Sequence, residues 1–123
     1  MRLRAERVWV MQDHNFTNVT FADNTEDPAA YIVVSRLLAP DTLQRRLGMD
    51  GVYLELDDEE CAAYRVATGY VLDGSTLRIM VSPSAMKRLG LDGDLLIELS
   101  EPGIDTDKLQ SALRSIFEVE PET

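Results

Sequence analysis

Two stretches of the chain run almost in step: RLGMDGVYLEL from Arg46 and RLGLDGDLLIEL from Arg88. Each places a glycine after a run of helix formers, then Asp-Gly, then an apolar strand. That order constrains the fold more than any other feature. A glycine at the end of a helical turn marks a left-handed stop. Asp-Gly marks a tight turn, and alternating apolar residues after it mark a strand. Upstream of the first copy, Pro40 and Asp41 open a short helix with Asp41 as its N-cap, and Leu43 and Leu47 sit four apart on one face. Upstream of the second, Ser82 is the N-cap and Pro83 takes the first helical position. Met49 and Leu91 follow the two glycines and fold back onto the last turn. A strand precedes each unit, YIVVSRLL and TLRIMVS. The flanking stretches do not match, so the repetition reads as one local folding solution used twice, with duplication as the alternative. Neither glycine turn has the spacing of a phosphate loop.

The rest of the chain is mostly strand. Residues 3–11 alternate, with Leu3, Ala5, Trp9 and Met11 on one side and Arg7 as the exception. FTNVTFAD puts Thr17, Val19 and Phe21 on one face. DNTEDP is a polar loop closed by Pro28, and residues 30–38 form a third strand. CAAYRVATGYVLDGSTLRIMVS reads as two strands joined around Asp73-Gly74. Pro102-Gly103 breaks the chain. Asp105 then caps a helix whose Leu109, Ala112, Leu113, Ile116 and Phe117 form a one-sided apolar stripe. The expectation is an α+β fold: a mostly antiparallel sheet of about seven strands, two short helical turns, and a C-terminal helix packed on one face. One domain spans residues 1–123, with a frayed acidic tail over 118–123.

Charge narrows the function. The net charge is −10. Nucleic-acid binders and membrane-surface proteins carry basic faces, so both classes are disfavoured; the same balance would steer the chain to a basic partner, and it reads equally as charge that keeps the protein soluble. The single Cys61 makes no internal disulfide, and no stretch has the length of a signal or transmembrane segment, so the chain reads as cytoplasmic.

Conventional chemistry is sparse. His14, the one histidine, sits in a polar turn. Acidic neighbours in DDEECAAY raise the Cys61 thiol, the wrong direction for a nucleophile. No zinc spacing, nucleophile elbow, Walker loop or dinucleotide fingerprint appears. The DNTED stretch lacks the length and closing glutamate of a calcium loop. No catalytic residue, metal ligand or cofactor is assigned.

One constellation stands out. In GVYLELDD, alternation sends Val52, Leu54 and Leu56 to the core and turns Tyr53, Glu55 and Asp57 the other way. Asp58, Glu59 and Glu60 continue the negative run, and Tyr64 follows. Tyrosines interleaved with acids make a candidate partner-binding strip. The same residues also read as a solvated hairpin end.

The stretch from Phe21 to Leu56, with FAD, DPAAYIVVSR, the turn holding Gln44, and LGMDGVYLEL, resembles the immunity protein 10 family of bacterial polymorphic toxin systems. The later strand–PSAMKRLGLDGDLLIEL–helix pattern is similar to that family too. The resemblance covers roughly residues 7–118, and LGMDGVYLE is its most specific part. It departs after Tyr64, where Arg65-Val66 replaces a glycine pair, so no role of that turn carries over. The resemblance implies a protein that binds a cognate toxin domain and blocks it without catalysis. It carries no residue-level binding motif and assigns no oligomeric state. Two rivals come from other classes. One is a small enzyme, for which turnover abolished by changing one carboxylate is the test. The other is a swapped-hairpin-like DNA-binding regulator, suggested by TLRIMVSPSAMKRLGLDGDLLIEL, opposed by the net charge and tested by filter binding at low salt.

Overall fold

The computed structural model describes residues 2–23, 30–100 and 103–118, and for residues 58–61 the backbone alone. The loop through Pro28, the break at Pro102, the side chain of Cys61 and residues 119–123 of the tail lie outside the described residues. The rest contain nine strands: β1 (Arg2–Ala5), β2 (Arg7–Gln12), β3 (Phe16–Ala22), β4 (Tyr31–Leu37), β5 (Tyr53–Leu56), β6 (Asp58–Tyr64), β7 (Ala67–Asp73), β8 (Thr76–Val81) and β9 (Leu95–Leu99). The helices are α1 (Thr42–Arg46), α2 (Pro83–Leu89) and α3 (Thr106–Phe117).

The α+β expectation holds, with the strands divided between two sheets. Strands β2 to β6 form a five-stranded antiparallel meander in chain order, and β7 to β9 form a second meander closed by β1, parallel to β9. Two crossings explain why about seven expected strands become nine. The first is a bend at Glu6. Leu3 and Ala5 are buried before it, whereas Val8 and Val10 are half-buried after it, so the inward phase slips by one residue. Trp9 and Met11, expected on the side of Leu3 and Ala5, are therefore turned out, 42% and 58% exposed. A one-residue slip exchanges the faces of a strand. The second crossing follows Tyr64, where Arg65 adopts φ +61° and the chain moves from β6 to β7.

A single cluster of buried side chains draws on both sheets and α3. Leu109, Ala112, Leu113 and Ile116 are buried and Phe117 packs at the margin, as the apolar stripe requires. α3 contacts β2, β3 and β4 of one sheet and β7 of the other. Asp105 caps it, accepting from the Lys108 amide at 3.0 Å. Near its other end Arg36 Nη1 donates to the Ile116 carbonyl at 3.0 Å, and Tyr70 stacks on Phe117 with ring centroids 5.3 Å apart. With α3 and the second meander on one side, the five-stranded sheet turns its other face outward.

Candidate functional site: the outward face of the five-stranded sheet

Strand register decides which side chains share this face. Met11, Asn18, Ser35, Tyr53 and Tyr64 lie across successive strands in one row. Trp9, Thr20, Val33, Glu55 and Ala62 form the next row, and Phe16 pairs with Leu37 beside the first. Directly opposed side chains on one face are close enough to interact. Tyr53 and Tyr64 do so, their rings tilted by 55° at 5.1 Å between centroids. Arg7 lies over the Trp9 ring, its guanidinium carbon 5.8 Å from the centroid, within cation–π range.

Three of the residues singled out in the sequence, Tyr53, Glu55 and Tyr64, thus meet on one half-buried surface. Glu55 is held from two sides: the Tyr53 hydroxyl donates to Oε1 at 2.5 Å and the Tyr31 hydroxyl to Oε2 at 2.7 Å. Two hydrogen bonds to one carboxylate fix its rotamer and keep both rings in place. Tyr31 was missed in the sequence because its link to Glu55 spans 24 residues. The signal was nonetheless present: Tyr31 and Val33 lie out of phase with the core positions Ile32 and Val34.

Asp57 has a different task. It is exposed, at φ +56°, in the tight turn between β5 and β6. Its carboxylate accepts from the Tyr31 amide at 2.6 Å and its own amide donates to the Tyr31 carbonyl at 3.1 Å. It ties the turn to the start of β4, and aspartate tolerates the left-handed backbone better than most residues. The side chains of Asp58, Glu59 and Glu60 lie outside the described residues. Their backbone belongs to β6, an edge strand of the sheet. Charge on an edge strand blocks pairing with other chains.

At one end of the face a hollow of about 300 Å³ opens between Phe16, Val33, Leu37, Tyr53 and Tyr64, with Asn18, Ser35 and Arg36 also on its lining. Among the described residues Asn18 Oδ1 is buried and has no hydrogen-bond partner. A buried acceptor without a donor is costly, and it offers a bond to whatever enters.

The turn where the chain departs from the expected glycine pair has its own solution. The Arg65 amide donates to the Val52 carbonyl at 2.8 Å, its guanidinium pairs with Asp50, and its aliphatic stem covers Gly51. That guanidinium hydrogen bond holds the Asp50 carboxyl below its ordinary range.

His14 is exposed in the turn between β2 and β3. Among the described residues no helix is long and apolar enough to cross a membrane, and no three His, Cys, Asp or Glu side chains are grouped to hold a metal ion.

The outward face thus carries aromatic rings, a fixed carboxylate and a small hollow, and aromatic residues are common at protein interfaces. The Immunity protein 10 family model matches residues 4–107, and the chain belongs to that family. Its role is accordingly one of immunity, and its partner in general terms is a toxin. No curated protein matches the chain.

Proposed function

We propose that this chain neutralises its toxin by stoichiometric binding, without catalysis, and that the outward face of the five-stranded sheet forms the contact. The observation that carries the location is the Tyr53–Tyr64 pair with Glu55 locked beside it. Those rings are already ordered, so covering them costs little further side-chain entropy. Aromatic anchors of this kind dominate interface energetics. The net charge of −10 supplies attraction to a basic toxin surface. A cytoplasmic site of action fits toxins that act inside the cell, where the inhibitor must meet them.

The test is surface plasmon resonance against the cognate toxin domain, found by pull-down or by gene neighbourhood and used in an inactive form, at two salt concentrations. A one-to-one complex is expected. Tyr53→Ala and Tyr64→Ala each raise the off-rate by about tenfold or more, corresponding to at least ~1.4 kcal/mol. Reversing Asp58 and Glu60 to lysine lowers the on-rate and weakens its salt dependence. Asp57 is left intact in that variant because its carboxylate holds the turn. Wild-type kinetics in both tyrosine variants would remove this face from the interface and return the acidic run to a solvated, edge-protecting hairpin end.

A further inference from the structure

Helix α1 is five residues long and buries none of them. Leu43 and Leu47, one turn apart, are 62% and 65% exposed. Aligning Arg46 with Arg88 sets Leu43 against Ala85 and Leu47 against Leu89. In α2 those counterparts are packed: Ala85 is buried and Leu89 rests against the core. The same local unit therefore turns its apolar positions inward once and outward once.

The outward copy is nevertheless tightly organised. Asp41 Oδ1 accepts from the Gln44 amide at 2.7 Å, and Gln44 Oε1 accepts from the Asp41 amide at 2.9 Å, a complete capping box. At the other end the Met49 amide donates to the Gln44 carbonyl at 2.9 Å. Helices this short are unstable unless something holds them; here the caps take the place of packing. The outcome is an apolar pair on a pre-ordered mount, the arrangement that lowers the entropic cost of binding.

Its location and charge indicate what covers it. The connection that contains α1 leaves β4 at Leu37 and enters β5 at Tyr53, and both residues line the hollow on the sheet face. Arg45 and Arg46 stand in the last turn of α1. They set two cations beside the leucine pair on a chain of net charge −10, with Asp41 at the other end of the helix and Asp50 close enough to Arg45 to feel its charge. A second copy of so acidic a chain is repelled as a whole. A toxin that fills the hollow would lie beside both ends of the α1 connection.

Resting on the toxin-binding reading above, we infer that α1 is a second anchor for the same toxin, which meets it with an apolar recess bordered by carboxylates. The toxin surface is then bipolar, acidic opposite α1 and basic opposite the β5–β6 hairpin, and this fixes the orientation of docking.

The experiment uses the full chain and the same inactive toxin domain. Leu43→Asn/Leu47→Asn is expected to dissociate about tenfold or more faster than wild type, with an unchanged thermal midpoint because neither leucine is buried. Arg46→Glu is expected to slow association, and the slowing shrinks as salt rises. If wild type binds and the leucine double variant binds equally well, the α1 inference is overturned while the sheet-face reading stands. If wild type fails to bind that domain, both are overturned. If sedimentation of the free chain shows a dimer that the leucine substitutions dissociate, with toxin binding untouched, the occupant is a second copy and the inference is again overturned.

Discussion

The two RLGxDG units share a capped start and a glycine stop and differ in what lies opposite them. Both have a polar N-cap, a left-handed glycine and an amide that reaches back five residues: Met49 to Gln44 at 2.9 Å, Leu91 to Met86 at 2.6 Å. Gly48 has φ +75° and Gly90 φ +70°. Yet α2 packs against the core through Ala85, Met86 and Leu89, whereas α1 keeps no residue buried. The lesson is that caps and stops specify that a helical turn forms, and neighbouring elements specify what it does. One copy is a piece of the core; the other is a surface mount.

The contrast can be broken most sharply at Ala85. Converting it to its counterpart, Ala85→Leu, forces three extra carbons into a closed site and is expected to destabilise by about 1–3 kcal/mol. The reciprocal Leu43→Ala is expected to stay within about 0.5 kcal/mol, as exposed substitutions do. Urea denaturation of both variants measures the difference, and equal costs would mean that the two helices are equally packed.

The Asp-Gly turns make a second contrast. A Cβ on Gly51 would stand 2.5 Å from Arg65 Cγ, while a Cβ on Gly93 meets nothing within 4 Å. Gly51→Ala should therefore cost on the order of 1–2 kcal/mol, at the lower end of overpacking, and Gly93→Ala close to nothing. In an Arg65→Gly background the cost of Gly51→Ala should largely vanish. A double-mutant cycle on thermal midpoints reads this coupling directly; additive costs would show that the stem of Arg65 does not seal the turn.

Where the copies are alike, effects should be alike. Around Gly48 and Gly90 there is open space for a Cβ, so the penalty at each is backbone strain alone. Gly48→Ala and Gly90→Ala should each lose about 1 kcal/mol. A marked inequality would reveal that tertiary packing, absent in one copy, changes even the stop.

The smallest effect belongs to the Asp50–Arg65 pair, which has no counterpart in the second unit. The folded-state pKa of Asp50 lies below its ordinary 3.8. Its contribution is therefore present above that ordinary value and is lost as pH falls through the depressed one. The pair is partly exposed, so it is small and screened by salt. Asp50→Asn should lower the melting midpoint slightly at pH 7, and the gap from wild type should close in acid. A gap that persists unchanged at low pH would assign the loss to something other than charge.

Much of this protein was legible in the order of its residues, because the interactions responsible are short-ranged. Asp41, Ser82 and Asp105 cap their helices within three residues of their own positions. Val52, Leu54 and Leu56, like Thr17, Val19 and Phe21, alternate inward because a strand has no other way to place them. The stripe on α3 and the meeting of Tyr53 with Glu55 on one face follow from the same periodicities. Tertiary structure alone decided the rest. Residues 2–5 pair parallel with residues 96–99, far along the chain, and no local pattern specifies that partner. The face slip at Glu6 exists because two sheets claim successive parts of one alternating run. Tyr31 joins Glu55 only once β4 and β5 are in register. Whether a leucine in a capped turn is core or surface depends on which element lies opposite. That is why Leu89 rests against the core and Leu47, in the same local setting, stands in solvent.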